Sequence, residues 1–181
     1  SSDLPSSGNL PTCGIANSNK NGPGATLTGT VGNYQYYSMY NGTPDYQPIS
    51  IKSTTVTFSA GAACPGTVGG GTPPSSNFPV YVFWGGLNIS GSSSNTAVNF
   101  GPGQYVLAGV GNCSKCTSGT STLAVTGGVL TTDQNAGVMI INTDGNYVDG
   151  NNTSSSALRQ AGNAIATNFA DNFVYGSVSL K

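Results

Sequence analysis

The chain has 181 residues and a net charge of -1, and only 6% of it is charged: five Lys or Arg, six Asp, no Glu and no His. Ordinary soluble proteins carry about 25% charged residues. The lack of imidazole excludes Ser-His-Asp and Cys-His nucleophilic chemistry, and five scattered basic residues cannot build the phosphate-neutralising patch that nucleic acid requires. No apolar run nears the roughly 18 residues needed to cross a bilayer, so no membrane span is expected.

In chain order, residues 1–24 are rich in Ser, Pro, Asn and Gly without periodicity, and read as an extended N-terminal arm tethered by Cys13. A β-rich domain is expected over 25–181. Thr26-Leu-Thr-Gly-Thr-Val31 alternates, Asn33–Tyr40 packs Tyr34, Tyr36, Tyr37 and Tyr40 together, and Ile49–Ser59 alternates again, with Ile51, Thr55, Thr57 and Ser59 opposite Thr54, Val56 and Phe58. Residues 60–77 read as an internal linker. A second block follows, with strands expected at Val80–Trp84, Gly86–Ile89, Ala97–Phe100, Gln104–Ala108, Thr122–Thr126 and Gly137–Asn142. Such short strands at regular spacing mean a β-sandwich, barrel or β-solenoid, and the scarcity of hairpin turns tilts this half toward stacked parallel rungs. The expected class is all-β with one C-terminal amphipathic helix. That helix is expected at about 155–170, where Leu158, Ala161, Ile165 and Phe169 recur at three- to four-residue spacing after Ser154–Ser156. Phe173–Leu180 is then a last strand, closing its own sheet or lent to a neighbour.

Four cysteines, Cys13, Cys64, Cys113 and Cys116, allow three pairings. The CxxC spacing of Cys113–Cys116 raises zinc and redox readings. With no His, and with loop composition after Cys116, two disulfides are expected instead, Cys13–Cys64 and Cys113–Cys116, in an oxidising compartment. Sequons stand at Asn41, Asn88, Asn112, Asn151 and Asn152; a glycan on any of them would place the chain outside the cell.

Gly85-Gly-Leu-Asn-Ile-Ser-Gly91, Ala97-Val-Asn-Phe-Gly-Pro-Gly-Gln-Tyr-Val-Leu107, Leu123-Ala-Val-Thr-Gly127 and Gly137-Val-Met-Ile-Ile-Asn142 resemble β-helix-like regions of bacterial Tad-type pilus-assembly proteins. The resemblance covers about a third of the chain, and the Tyr-rich N-terminal half has no counterpart in it. It implies Pro-Gly turns between rungs, a stacked Tyr, an apolar solenoid interior and a role in an extracellular appendage. The composition is also similar to that of low-charge subunits of archaeal surface filaments.

Four candidate chemistries remain. Asp133, Asp144 and Asp149 would supply the carboxylates of a small secreted hydrolase, although each sits where Asp ordinarily bonds its own turn. Asp144, Asn146 and Asp149 offer oxygen ligands for Ca²⁺, without the spacing of an EF-hand. Tyr34, Tyr36, Tyr37, Tyr40, Tyr46 and Trp84 suit either a subunit interface or stacking on sugar rings. Thr26-x-Thr28-x-Thr30 is a short row of the ice-binding kind. The expectation drawn from all of this is a structural, non-enzymatic subunit of an extracellular filament, pilus or surface layer. Its expected partners are copies of itself or sibling subunits, with surface glycans as the ligand of the alternative, an adhesin; no cofactor is expected beyond a Ca²⁺ ion.

Overall fold

The computed structural model describes residues 10–20, 23–109, 123–132 and 137–146. These are strand-rich, with fourteen strands and no helix among the described residues. They are β1 (Thr12–Ala16), β2 (Gly29–Val31), β3 (Gln35–Tyr40), β4 (Thr43–Pro44), β5 (Ile49–Lys52), β6 (Thr55–Phe58), β7 (Val68–Gly69), β8 (Val80–Trp84), β9 (Leu87–Ser90), β10 (Ala97–Phe100), β11 (Gly103–Gly109), β12 (Leu123–Val125), β13 (Val129–Thr132) and β14 (Val138–Asn146).

Three sheets result. The first has the order β14-β11-β8-β3-β1-β7, the second β13-β10-β6-β2 and the third β12-β9-β5. Between coils every pairing is parallel. The chain visits third, second and first sheet in that order four times: Thr26 with β2 and β3, then β5-β6-β8, β9-β10-β11 and β12-β13-β14. This is the course of a three-sided β-solenoid, and of the architectures expected it fits the rung-stacked one. Parallel strands need a long connection before they pair again, and here two sides of the coil provide it.

The interior is built by period-two alternation within each short strand. In the third sheet Ile49, Leu87 and Leu123 share one register position, and Ile51, Ile89 and Val125 the next. In the first, Cys13, Tyr36, Phe83 and Leu107 form one inward row. Phe58 stands at the centre. Its ring lies 5.3, 5.7, 5.5 and 5.2 Å from those of Tyr81, Phe83, Phe100 and Tyr105. Tyr81 and Tyr105 stack at 4.6 Å. The Tyr34, Tyr36 and Tyr105 rings fill the core while their hydroxyls reach carbonyls of Gly71, Gly32 and Gly101 at 2.8, 2.5 and 2.8 Å.

Corners are held by a few polar side chains. Thr96 Oγ1 donates to the Ser90 carbonyl (3.1 Å) and accepts from the Ser53 N–H (3.0 Å), joining two coils. Ser38 Oγ accepts from the Ala25 N–H (2.9 Å) and donates to the Gln47 carbonyl (3.0 Å). At the Gly85-Gly86 corner both φ values are positive, 92° and 93°, and a Cβ on Gly85 would collide with the Tyr46 carbonyl. Only glycine fits there.

One end of the stack is closed along its first sheet. Residues 59–79 leave the second coil and run back to the first sheet, where β7 pairs antiparallel with β1. Cys64 on this excursion is disulfide-bonded to the buried Cys13 across a separation of 51 residues.

Several expectations need correction. Thr12–Ala16, assigned to the arm, is strand β1, in register with β3 from Thr12↔Gln35 to Ala16↔Met39. The central Gly14 hid its alternation; it is small because Tyr37 and Met39 crowd over it. Ile49–Ser59 is not one strand: Ser53, at φ 53°, turns a corner, so Ile51, Val56 and Phe58 all point inward. The 60–77 stretch, expected to be an internal linker, contains β7. An Asn-Gly hairpin is present after all, since Asn41 (φ 49°) and Gly42 (φ 75°) join β3 to β4 in the manner of a type I′ turn. The strand β13 was not anticipated. The expected helix at 155–170, the strand Phe173–Leu180, Cys113, Cys116, Asn112, Asn151, Asn152, Asp133 and Asp149 lie outside the described residues.

Candidate binding faces

A solenoid offers three outward faces, and their side chains follow from register. The second-sheet face carries a polar ladder. Thr30, Thr57, Asn99 and Thr131 occupy one outward position in four successive strands. Asn99 Nδ2 donates to Thr57 Oγ1 at 3.1 Å, and Thr131 Oγ1 donates to Asn99 Oδ1. These bonds fix the rotamers of the row while its residues stay exposed or half-buried. Thr55, Ala97 and Val129 run beside it.

The third-sheet face is polar as well, with Thr26, Ser50 and Asn88 in one row and Lys52 and Ser90 in the next. The first-sheet face differs. Gln35, Val82, Val106 and Ile141 form one outward row, yet their exposures are 9%, 0%, 0% and 6%. Trp84 Nε1 donates to Gln35 Oε1 (3.2 Å), and Gln35 Nε2 donates to the Leu10 carbonyl (2.8 Å).

The aromatic residues singled out from sequence do not share a surface. Tyr34 and Tyr36 lie in the interior, 2% and 0% exposed. Tyr37 faces out beside Tyr46, ring centres 6.2 Å apart. The Tyr40 ring lies 5.9 Å from Lys20 Nζ, and Trp84 sits on the outer side of β8. Alternation within Asn33–Tyr40 divides the cluster between two sides of one strand.

Thr26, Thr28 and Thr30 are all exposed, but the longer row runs across strands rather than along one. Asn41 is exposed at its hairpin tip and Asn88 half-buried on β9. Asp144 and Asn146 fall within β14, an extended strand and not the turn expected of them. No group of three or more His, Cys, Asp or Glu that could hold a metal comes together among the described residues.

Among residues whose side chains are described, Lys20, Asp45 and Lys52 carry the charge. Asp45 accepts from Asn17 Nδ2 at 3.2 Å and from the Gln47 N–H at 3.3 Å. Burial pushes the Tyr36 and Tyr105 hydroxyls well above the usual tyrosine range and Tyr81 up to about 12, so all three stay protonated at neutral pH. What the described surface offers is hydroxyl and amide hydrogen bonding on two faces; on the third the row Val82, Val106 and Ile141 is buried. No family model, curated protein or solved structure matches this chain.

Proposed function

We propose that the chain is a structural subunit of an extracellular filament, pilus or surface layer, acting by assembly with copies of itself or with sibling subunits. The carrying observation is the asymmetry of the two ends. β7 and the disulfide close the first-sheet edge of one, where β2 still pairs on one side alone, whereas at the other β12, β13 and β14 all pair on one side alone among the described residues. Val129 and Met139 stand exposed on this last coil, at 41% and 40%. A strand edge bearing apolar side chains is a ready template for another chain, and near-zero charge removes the repulsion that keeps proteins apart. The disulfide supports an oxidising, extracellular setting.

Sedimentation velocity and negative-stain microscopy of the oxidised full chain test this. Mass is expected to rise with concentration, and a Val129→Lys/Met139→Lys variant is expected to stay dispersed with an unchanged far-UV spectrum. A chain monomeric at every concentration, alone and in native material, would refute it.

A second reading, adhesion to a glycan, rests on the Thr57–Asn99–Thr131 network. It presents hydroxyls at the strand spacing of about 4.8 Å, suited to a repeating polyol surface. Saturable binding to a polysaccharide, lost in Asn99→Val, would favour this reading over assembly.

A further inference from the structure

Residues 59–79 form a strap along the outer edge of β1. There the Thr67 N–H donates to the Gly14 carbonyl at 3.0 Å and the Gly70 N–H to the Thr12 carbonyl at 2.8 Å. Glycine lets the strap come this close. A Cβ on Gly66 would collide with the Gly14 carbonyl, and one on Gly69, whose φ is 82°, with the Thr12 carbonyl. Two side chains of the first coil hold its flanks. Asn33 Oδ1 accepts from the Gly61 N–H at 3.1 Å and Asn33 Nδ2 donates to the Pro74 carbonyl at 3.2 Å, while the Tyr34 hydroxyl donates to the Gly71 carbonyl at 2.8 Å.

Side-chain packing contributes little to this seat. Between Ser59 and Phe78 only Pro73 is buried, and Val68 of β7 is 43% exposed. A few backbone hydrogen bonds and the Cys13–Cys64 bridge therefore keep the strap in place, and a segment with so few buried apolar contacts is among the first to open. The bridge is also asymmetric. Cys13 is 0% exposed in the interior row, whereas Cys64 is half-buried on the strap.

We propose that the strap is a guard latched by this disulfide: with the bridge intact it occupies the β1 edge, and reduction bares that edge to a strand of a second copy of the chain. Without β7, β1 pairs with β3 alone, and its far side becomes a row of unpaired backbone groups, the template that strand addition uses. The first sheet also supplies a matching edge. From β1 through β3, β8 and β11 to β14 its strands run in one direction, so β14 of one copy beside β1 of the next continues the sheet without reversal. The switch balances on a dithiol reductant. Its thiolate attacks Cys64 Sγ, the accessible sulfur, and Cys13 leaves and takes up a proton; the reductant's second thiol then displaces Cys64 and closes its own disulfide. Oxidation returns the two electrons' worth of bonding and seals the edge. The inference rests on the assembly reading and specifies what controls it.

Hydrogen exchange and sedimentation velocity on the full chain test it together, comparing the oxidised parent, the parent reduced with a dithiol, and Cys13→Ala/Cys64→Ala, which cannot cross-link. Loss of the bridge is expected to speed exchange at the Thr67 and Gly70 amides about tenfold, to leave the amides of β8 unchanged, and to raise the mass at equal concentration. Unchanged exchange at Thr67 and Gly70 overturns the proposal. Faster exchange with the same associated mass in all three forms overturns it and leaves assembly standing, and faster exchange with every form monomeric overturns both. If the double variant fails to fold, Gly69→Ala in the oxidised chain decides, because its Cβ breaks the ladder with β1 while the bridge is kept. Faster exchange at Thr67 and Gly70 with a rise in mass then supports the guard, and an unchanged mass overturns it.

Discussion

Phe58 is where the architecture is most open to challenge. It belongs to β6 in the second sheet, is 1% exposed, and touches Tyr81, Phe83 and Tyr105 of the first sheet and Phe100 of the next coil. Truncation to alanine removes the ring from water-free surroundings and leaves a cavity that four other rings, anchored on three strands, cannot collapse to fill. Phe→Ala in cores costs about 3–5 kcal/mol. Lost aromatic pairs add about 0.5–1.5 kcal/mol each, and not additively. The expected loss for Phe58→Ala is therefore at the top of that range, about 5 kcal/mol. Phe58→Leu, which refills much of the volume, is expected to cost about 2 kcal/mol. Urea unfolding followed by far-UV circular dichroism measures both; at a slope of about 2 kcal/mol per molar the alanine variant should move its midpoint by about 2.5 M. A loss below about 1.5 kcal/mol would mean that Phe58 does not join the two sheets, and the three-sided core would have to be rebuilt.

Replacing Cys13 and Cys64 by alanine frees a loop closed over 51 residues and is expected to cost about 4 kcal/mol on the chain-entropy estimate; urea unfolding within 1 kcal/mol of the oxidised parent would contradict it. Tyr105→Phe gives up the bond to the Gly101 carbonyl and should lose about 1 kcal/mol. Tyr81→Phe should be neutral or stabilising, since the Tyr81 hydroxyl is buried without a hydrogen-bond partner among the described residues. The reverse order in thermal melts would show that the hydroxyl assignments are wrong. Tyr81, Tyr36 and Tyr105 also predict alkaline weakening. Their folded pKa values are raised by burial, so the stability they contribute is complete below the unfolded value of 10.0 and falls as pH rises, for Tyr81 across the interval to about 12. A melting temperature flat from pH 9 to 12 would contradict this.

Much of this was legible before any coordinates. Val80–Trp84 and Ala97–Phe100 have the same bounds in sequence and structure, because each is a run of β-formers cut off by glycine, proline or polar residues. The covalent link Cys13–Cys64 was legible from the cysteine arithmetic. What escaped belongs to the third dimension. Gly14 looks like a breaker and is instead the gap that admits Tyr37 and Met39. Ser53 reads as one more polar residue in an alternating strand, but its left-handed backbone folds that strand around a corner. The tyrosines announced a cluster without saying which side of β3 each would take. Thr57, Asn99 and Thr131 are far apart in the chain, and nothing in their local contexts aligns them. Only coil-to-coil register brings them into a row.

The excursion of residues 59–79 has a consequence for how such a molecule varies. The coil above it, β9 and β10, resumes the pairing of β5 and β6 without slipping by a residue, so a detour of this size on one side leaves the stacking intact. Extra sequence can be spliced between the second and first sheets, or a whole turn of chain duplicated, and the rod would lengthen by about 4.8 Å per added turn. Its girth and flank chemistry would be unchanged, leaving length and decoration free to diverge separately.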